Sequence, residues 1–345
     1  MKLTKLILPV ALTLALASCQ GREAKKSGSQ GQKVLSSLAG SETGVTQSAS
    51  ADSMPVADMH CHPIPWVPAE EFLVWMDDNR VQWCGLGVFG GKYGARSTRE
   101  EYARVLGNRY VAFGGQSDLN AIYLNDGKRA QEDAGHGGFK EILQWLENDL
   151  KNARIKGIGE IFANTRSSNK YLRMRRKTRL DSSAMRALFA LTSQYGAVLT
   201  FHTHWDDDSI AQVEVLLESN PHGKIVFAHC GVDSSPPDVQ AFFEKHPGAY
   251  CDLSARHVPK LPKKFLGTKR HIFSSDAIVP EWKDLIEAFP DRFMVGTDLQ
   301  DKNQYAKSVR IIRKGLLANL SPTTAEKVAY KNAMRLFGLQ YLPSK

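Results

Sequence analysis

The chain has 345 residues, of which 42% are hydrophobic and 23% are charged. This balance is typical of a globular protein, and it excludes a disordered chain and a polytopic membrane protein. The formal net charge of +9 fits nucleic acid, an acidic membrane surface or an anionic substrate, and charge alone does not choose among these partners.

Residues 1–18 carry the features of an export signal. Two early lysines precede an apolar run over 6–17, which is too short to span a bilayer as a helix. The run ends in Leu-Ala-Ser-Cys at Cys19, which resembles a bacterial lipobox. The resemblance implies cleavage before Cys19 and lipidation of that residue. With Gln20 rather than Asp next, it further implies an outer-membrane anchor facing the periplasm. An ordinary secretory signal is the alternative.

The segment 19–55 is rich in Ser, Gly, Gln, Lys and Ala and has almost no large apolar side chains. Such a segment cannot bury enough surface to offset the entropy of ordering, so we expect a flexible tether. The folded body is predicted to be a single domain over 56–340.

Short β-type runs alternate with helical periodicity along this body. There are eight of them, at 56–60, 81–88, 110–114, 155–161, 198–201, 224–228, 249–253 and 292–296. Eight units of roughly 30 to 35 residues predict an α/β fold of the (β/α)8 TIM-barrel type. A doubly wound open sheet is the main alternative fold, but it would require a Gly-rich phosphate loop after the first strand, where the sequence has none.

Helix boundaries support this pattern. Asp181 or Ser182 is a candidate N-cap for the helix before the fifth strand. Ser321-Pro322 begins the last helical stretch, and Gly338 ends it.

Histidine and carboxylate side chains stand at the ends of the first, fourth, fifth, sixth and eighth predicted strands. They are His60 and His62, Glu160, His202 and His204, His229, and Asp298. In a parallel barrel all these ends meet at the C-terminal mouth, and side chains at i and i+2 share a face. The joint placement predicts a metal site. Nitrogen and oxygen ligands without thiolate suit zinc, manganese or iron, and we expect zinc.

Together these residues, as Asp58-x-His60-x-His62 followed by the later histidines and carboxylates, resemble the amidohydrolase superfamily of metal-dependent (β/α)8 enzymes. The segments 290–298 and 332–338 are similar to the amidohydrolase-related family, which also contains metal-dependent decarboxylases of aromatic and unsaturated acids. The resemblance spans about residues 56–340. Its motifs are specific for the fold and the metal and unspecific for the substrate.

The resemblance implies four ligands of a primary metal: His60, His62, His202 and Asp298. His229 would be a second-metal ligand or a catalytic acid/base. Glu160 resembles the fourth-strand carboxylate of TatD-type nucleases, which touches both metals, so one ion or two remain open. His204 shares the face of His202 and is the alternative ligand or a substrate contact. We favour His202 as the ligand because it directly follows the apolar run.

The ligands indicate the chemistry. A divalent metal lowers the pKa of bound water from 15.7 toward about 7. Asp298 would take up that water's proton and pass it to a leaving group, and the metal or His229 would polarise the scissile carbonyl or a phosphoryl oxygen. We therefore expect a hydrolase acting on an amide, ester, lactone or related bond of a small substrate. Arg256 or His257, after the seventh strand, is a candidate for binding a substrate carboxylate.

Other functions stay open. In the decarboxylase alternative, the metal binds the substrate carboxylate and Asp298 protonates a carbon. A TatD-like nuclease is disfavoured because the chain has no basic stripe interleaved with aromatic residues. A non-catalytic metal-binding lipoprotein is disfavoured because it needs no proton shuttle at Asp298. A homodimer is left open.

Four cysteines lie in the folded body, each within a short apolar segment and none with zinc-ribbon spacing. They are predicted to be buried small hydrophobic residues. An exported compartment also permits disulfides between Cys61 and Cys84 and between Cys230 and Cys251.

Overall fold

The computed structural model describes residues 50–88, 95–165, 175–257, 271–299 and 301–341. The export signal, the lipidation residue Cys19 and nearly all of the predicted tether lie outside these residues and stay predictions. Met54 is already buried, and Arg313 Nη1 donates to the backbone oxygens of Ala51 and Met54 at 2.8 and 2.7 Å. The described fold therefore begins a few residues before position 56.

Within the described residues, nine strands alternate with helices along the chain. The strands are β1 (Val56–Asp58), β2 (Val81–Leu86), β3 (Tyr110–Gly115), β4 (Gly157–Thr165), β5 (Arg176–Lys177), β6 (Val198–Thr203), β7 (Lys224–Phe227), β8 (Ala249–Asp252) and β9 (Phe293–Met294). Eight of them pair in parallel in the order β1-β2-β3-β4-β6-β7-β8-β9, and β5 pairs antiparallel with β4 outside this order. These eight strands are the predicted ones, with small differences at their ends.

Backbone hydrogen bonds beyond β9 and β1 bring the two ends of the sheet together. The Met59 N–H donates to Val295 O at 2.9 Å, and the Asp298 N–H donates to His60 O at 2.7 Å. The eight parallel strands therefore form a nearly closed barrel, and the predicted (β/α)8 TIM-barrel fold is confirmed. The same closure brings the segment after β9 beside the segment after β1.

The helices run antiparallel to the strands they connect or close the ends of the barrel. They are α1 (Ala69–Asp78), α2 (Ala95–Leu106), α3 (Gln116–Asp126), α4 (Lys128–Glu132), α5 (Gly137–Lys151), α6 (Ser183–Gln194), α7 (Asp207–Ser219), α8 (Pro236–Lys245), α9 (Pro280–Ala288), α10 (Lys302–Ile311), α11 (Pro322–Glu326) and α12 (Asn332–Phe337). Ser182 caps α6 by accepting from the Met185 N–H, which decides between the two predicted caps. Gly338 follows α12 at φ +64°, where glycine is favoured.

The barrel interior is filled by apolar side chains that include Trp83, Phe113, Val198 and Met294. Phe337 of α12 packs against this interior cluster, with its ring centroid 5.6 Å from that of Phe113. Because Val198 is the first residue of β6, α12 covers the end of the barrel where the strands begin. A second core lies between the strands and the surrounding helices. Among the described residues, no helix has both the length and the apolar character needed to cross a bilayer.

Two disulfides join neighbouring strand ends. Cys61 pairs with Cys84 at a Cα separation of 5.6 Å, and Cys230 pairs with Cys251 at 4.5 Å. Both separations lie in the range that disulfides span. All four cysteines are buried, so both possibilities raised by the sequence, burial and pairing, hold at once.

Candidate metal centre

Four histidines surround Glu160 of β4 at the mouth of the barrel. Its Oε2 lies 3.6 Å from His60 Nε2 and 3.6 Å from His62 Nε2. Its Oε1 accepts from His202 Nδ1 at 3.0 Å and lies 3.3 Å from His229 Nε2. The ends of β1, β4, β6 and β7 therefore converge as the sequence predicted.

Two groups of three side chains have the geometry to hold a metal ion. The first is His60, Glu160 and His229, and the second is His60, His62 and Asp298. Within each group, one donor atom from each residue lies within 4.8 Å of the others. His60 belongs to both groups, so the two sets form one continuous cluster.

Each histidine of these groups has a polar partner at its Nδ1 atom. His60 Nδ1 donates to Asp252 Oδ2 at 3.0 Å, His62 Nδ1 donates to Gly87 O at 3.0 Å, and His229 Nδ1 lies 2.8 Å from Ser254 Oγ. Metal-binding histidines usually have such a partner on the second ring nitrogen, which fixes the tautomer and the direction of the ring. The Nε2 atom of each ring is thereby directed toward the cluster.

The surroundings of the His60 Nε2 atom show whether this cluster fits a metal. It is buried, and it has no hydrogen-bond partner among the described residues. A buried polar atom without a partner is costly, and native proteins rarely leave one unexplained. A cation bound between the imidazoles and carboxylates satisfies this atom, and the nitrogen and oxygen donors suit Zn²⁺ or Mn²⁺. The residues present therefore fit the metal that the fold family implies.

Burial and close contacts set the charges of the cluster. Burial alone would raise the pKa of Glu160, but His60, His202 and His229 hold it well below its usual range, so Glu160 is a carboxylate. Burial disfavours charge on His60, but Asp252 and Glu160 outweigh burial and raise its pKa well above the usual value, so a metal that binds His60 Nε2 would displace a proton from it. Burial and the neighbouring His60 lower the pKa of His62 to about 4, so His62 is neutral and its lone pair is available.

The backbone is specialised where it presents these residues. His229 and Asp298 both have positive φ, at 56° and 52°. Non-glycine residues adopt this conformation only where surrounding contacts enforce it, and such positions concentrate at functional sites. Gly296 allows the close approach of β1 and β9, because a Cβ there would lie 2.5 Å from the Cβ of His60.

The two alternative histidines after β6 have different surroundings. His202 contacts Glu160 and keeps about a fifth of its side chain exposed at the mouth. His204 directs its Nδ1 to Asp233 Oδ2 at 2.8 Å and is buried. The structure therefore brings His202 into the cluster and gives His204 a separate carboxylate partner.

Asp298 and Arg256 lie at different depths. The Asp298 side chain is 23% exposed, and its Oδ1 lies 3.8 Å from His62 Nε2. Arg256 is buried, and its Nη1 donates to His229 O at 2.9 Å and to Gly231 O at 3.2 Å. The structure thus places the Arg256 guanidinium against the backbone of the segment that carries His229.

Sequence reasoning missed the residues behind the cluster. Asp252 lies at the end of β8 and binds His60, and Ser254 connects Asp252 to His229. Asp58 was part of the recognised motif without a role, and it accepts from the Thr297 N–H at 2.9 Å and from Thr297 Oγ1 at 2.7 Å. The signal for Asp252 was present as a carboxylate ending an otherwise apolar strand, the same pattern that identified Asp298.

The barrel and the cluster at its mouth define a class of (β/α)8-barrel enzymes. The chain belongs to the amidohydrolase family, whose model matches residues 57–339. No curated protein is similar enough in sequence to count as a match.

Solved structures are similar to this chain at low sequence identity, and those with a TM-score above 0.5 share its fold. An uncharacterised TIM-barrel protein from Bordetella bronchiseptica is 13% identical with a TM-score of 0.55, over 83% of this chain and 99% of that one. The 4-oxalomesaconate hydratase from Rhodopseudomonas palustris is 11% identical with a TM-score of 0.52, over 82% and 95%. The 2,6-dihydroxybenzoate decarboxylase from Rhizobium is 11% identical with a TM-score of 0.48, over 83% and 99%. At these identities the likeness concerns the fold alone.

Proposed function

We propose that this protein is a metal-dependent hydrolase that cleaves an amide, ester, lactone or related bond of a small substrate. The observation that carries the proposal is a solvent-accessible carboxylate, Asp298, directly beside a buried cluster of metal-competent histidines around Glu160. Membership of the amidohydrolase family supports the same conclusion.

The residues divide into those that would hold the metal and those that would handle substrate. His60, His62, Glu160 and His229 are buried and face one another, so they are the natural ligands, with His202 and Asp298 at the open side. A divalent metal held here supplies a water of lowered pKa and a Lewis acid for the scissile bond. Zn²⁺ is our first choice because imidazoles dominate the donor set, and Mn²⁺ is the second because the carboxylates suit it.

Asp298 is the carboxylate placed to move a proton. Its partial exposure gives water and substrate access to it, and Oδ1 can accept a proton and return it to a leaving group. Glu160 is unsuited to that role, because both its oxygens lie within 3.6 Å of buried or partly buried histidine nitrogens and its pKa is held well below its usual range.

We assign His229 to metal binding rather than to proton transfer. Its Nε2 faces Glu160 and its Nδ1 contacts Ser254 Oγ, so both nitrogens are engaged inside the protein. The more exposed His202 lies at the mouth, where it can orient a substrate carbonyl or a hydroxyl.

The proposal is tested with the full chain loaded with Zn²⁺ or Mn²⁺ and given esters, amides, lactones and aryl carboxylates in H2¹⁸O. We expect turnover in one of the first three groups with ¹⁸O in the product. Asp298→Asn should lower kcat by about 10²- to 10⁴-fold, the usual contribution of a general base.

The matched control is Asp301→Asn. Asp301 lies three residues further on and caps α10 by accepting from the N–H groups of Asn303 and Gln304. Asparagine caps a helix as well as aspartate does, so this variant should keep wild-type activity and metal content. Release of CO2 from an aryl carboxylate, with no ¹⁸O in the organic product, would overturn hydrolysis in favour of decarboxylation.

A further inference from the structure

Both disulfides lie directly beside the proposed metal centre. Cys61 stands between His60 and His62 in the sequence. Cys230 follows His229, and Cys251 precedes Asp252. Each bridge therefore joins a segment that carries a histidine of the site to the neighbouring strand.

The first bridge reinforces a segment that is already held by the sheet. The Cys61 N–H donates to Gly85 O at 3.1 Å, and Asp58 pairs in register with Cys84. Since the hydrogen bonds of the parallel sheet continue to Cys61, this strand end has a second means of holding its place.

The second bridge lies in a backbone that departs from regular structure. His229 and Cys230 have φ of 56° and 53°, both in the left-handed region. Two successive non-glycine residues keep this conformation only when contacts around them enforce it. Arg256 supplies one such contact by donating to His229 O, and the covalent bond from Cys230 to Cys251 supplies another.

The Cys230–Cys251 bridge is also adjacent in sequence to Asp252, the residue that orients His60. Asp252, the neighbour of Cys251, accepts from the His229 N–H through Oδ1 at 3.2 Å and from His60 Nδ1 through Oδ2 at 3.0 Å. The Cys230–Cys251 disulfide thus fixes the distance between the residue that follows His229 and the residue that precedes Asp252, the partner of His60.

We propose that the Cys230–Cys251 disulfide is a positioning element of the metal centre, so that opening it weakens metal binding while the barrel stays folded. The inference rests on the metal centre of the proposed function. In the reduction, a phosphine gives two electrons to the S–S bond and two thiols form with protons from water. The phosphine becomes its oxide with the oxygen of that water.

The two bridges form a matched pair for the experiment. They close loops of similar length, with sequence separations of 23 and 21, so each restricts the unfolded chain to a similar degree. We compare the full wild-type chain with Cys61→Ala/Cys84→Ala and with Cys230→Ala/Cys251→Ala. The affinity for Mn²⁺ is measured by electron paramagnetic resonance of the free ion, because thiolates released by reduction bind Mn²⁺ poorly.

We expect Cys230→Ala/Cys251→Ala to weaken Mn²⁺ binding by about tenfold or more, the usual effect of disturbing a partner of a metal ligand. Cys61→Ala/Cys84→Ala should weaken it by less than about threefold, since the sheet hydrogen bonds remain. Circular dichroism checks that both variants are folded. Equal affinities in the two variants, or wild-type affinity in Cys230→Ala/Cys251→Ala, would overturn the proposal.

A second arm opens the bridge without changing any side chain. The Cys61→Ala/Cys84→Ala protein is treated with the phosphine, and alkylation with mass spectrometry verifies that Cys230 and Cys251 have become thiols. Mn²⁺ affinity should then fall about tenfold, and no fall would overturn the proposal. If the oxidised wild-type protein binds no Mn²⁺ or Zn²⁺, the metal centre itself fails, and with it the proposed function.

Discussion

Asp252 shows how one buried side chain orients a proposed metal ligand. It is buried, and one oxygen accepts from His60 Nδ1 while the other accepts from Ser254 Oγ and the His229 N–H. Because a carboxylate can only accept, Nδ1 of His60 carries the hydrogen and Nε2 is left for the cluster. The direction and tautomer of the central histidine therefore depend on a residue 192 positions away in the sequence.

Replacing Asp252 with asparagine tests this dependence. Asp252→Asn keeps the size of the side chain but removes the charge that holds His60, so we expect metal affinity to fall about 10- to 100-fold. The affinity is measured by competition with a chromophoric chelator for Zn²⁺.

The control for Asp252→Asn is Asp233→Asn. Asp233 accepts from the ring of His204 at 2.8 Å, as Asp252 does from His60, but His204 lies in neither group of candidate ligands. Asp233→Asn should leave the affinity for Zn²⁺ within about twofold of wild type, because His204, the ring that Asp233 orients, belongs to neither group of candidate ligands. Equal losses in both variants would place His204 among the ligands and contradict our assignment.

At the scale of elements, the barrel closes through a buried carboxylate as well as through the backbone. Asp58, the last residue of β1, accepts two hydrogen bonds from Thr297, which follows β9 and directly precedes Asp298. Burial raises the pKa of Asp58 to about 6. This contact joins the first and last strands at the level where they present His60 and Asp298.

A single substitution measures that contact. Thr297→Val keeps the shape of the buried side chain and removes the hydroxyl that donates to Asp58, so we expect the free energy of unfolding to fall by about 1.5–3 kcal/mol. The control is Thr192→Val on α6, where an equally buried hydroxyl donates to the neutral Phe189 oxygen at 3.0 Å. That change should cost about 0.5–1.5 kcal/mol. Urea unfolding followed by circular dichroism measures both, and a smaller loss for Thr297→Val would show that the contact does not stabilise the closure.

For the whole molecule, the sequence predicted the barrel and the convergence of the candidate ligands because both follow from local patterns. Apolar runs identify the eight strands, and parallel pairing places all their ends at one mouth. The separate roles of His202 and His204 could not be read this way, since each depends on contacts across the barrel, with Glu160 and with Asp233. The expectation that Arg256 lies near the mouth followed from its position after β8, but its depth is set by packing against Trp282 and by the loop above it.

The far end of the barrel offers a test that separates stability from the site. Phe337 on α12 is 5% exposed and packs on the interior cluster, with its ring near Phe113. Phe337→Ala should lower the free energy of unfolding by about 3–5 kcal/mol, because it removes a buried aromatic ring and leaves a cavity. Metal affinity should stay within about twofold, since the ligands lie at the opposite end of the strands and distant sites act independently. The control is Tyr341→Ala, a half-exposed residue whose loss should change stability by less than about 0.5 kcal/mol. If Phe337→Ala lost metal affinity while remaining folded, the two ends of the barrel would be coupled and the separation of core from site would be wrong.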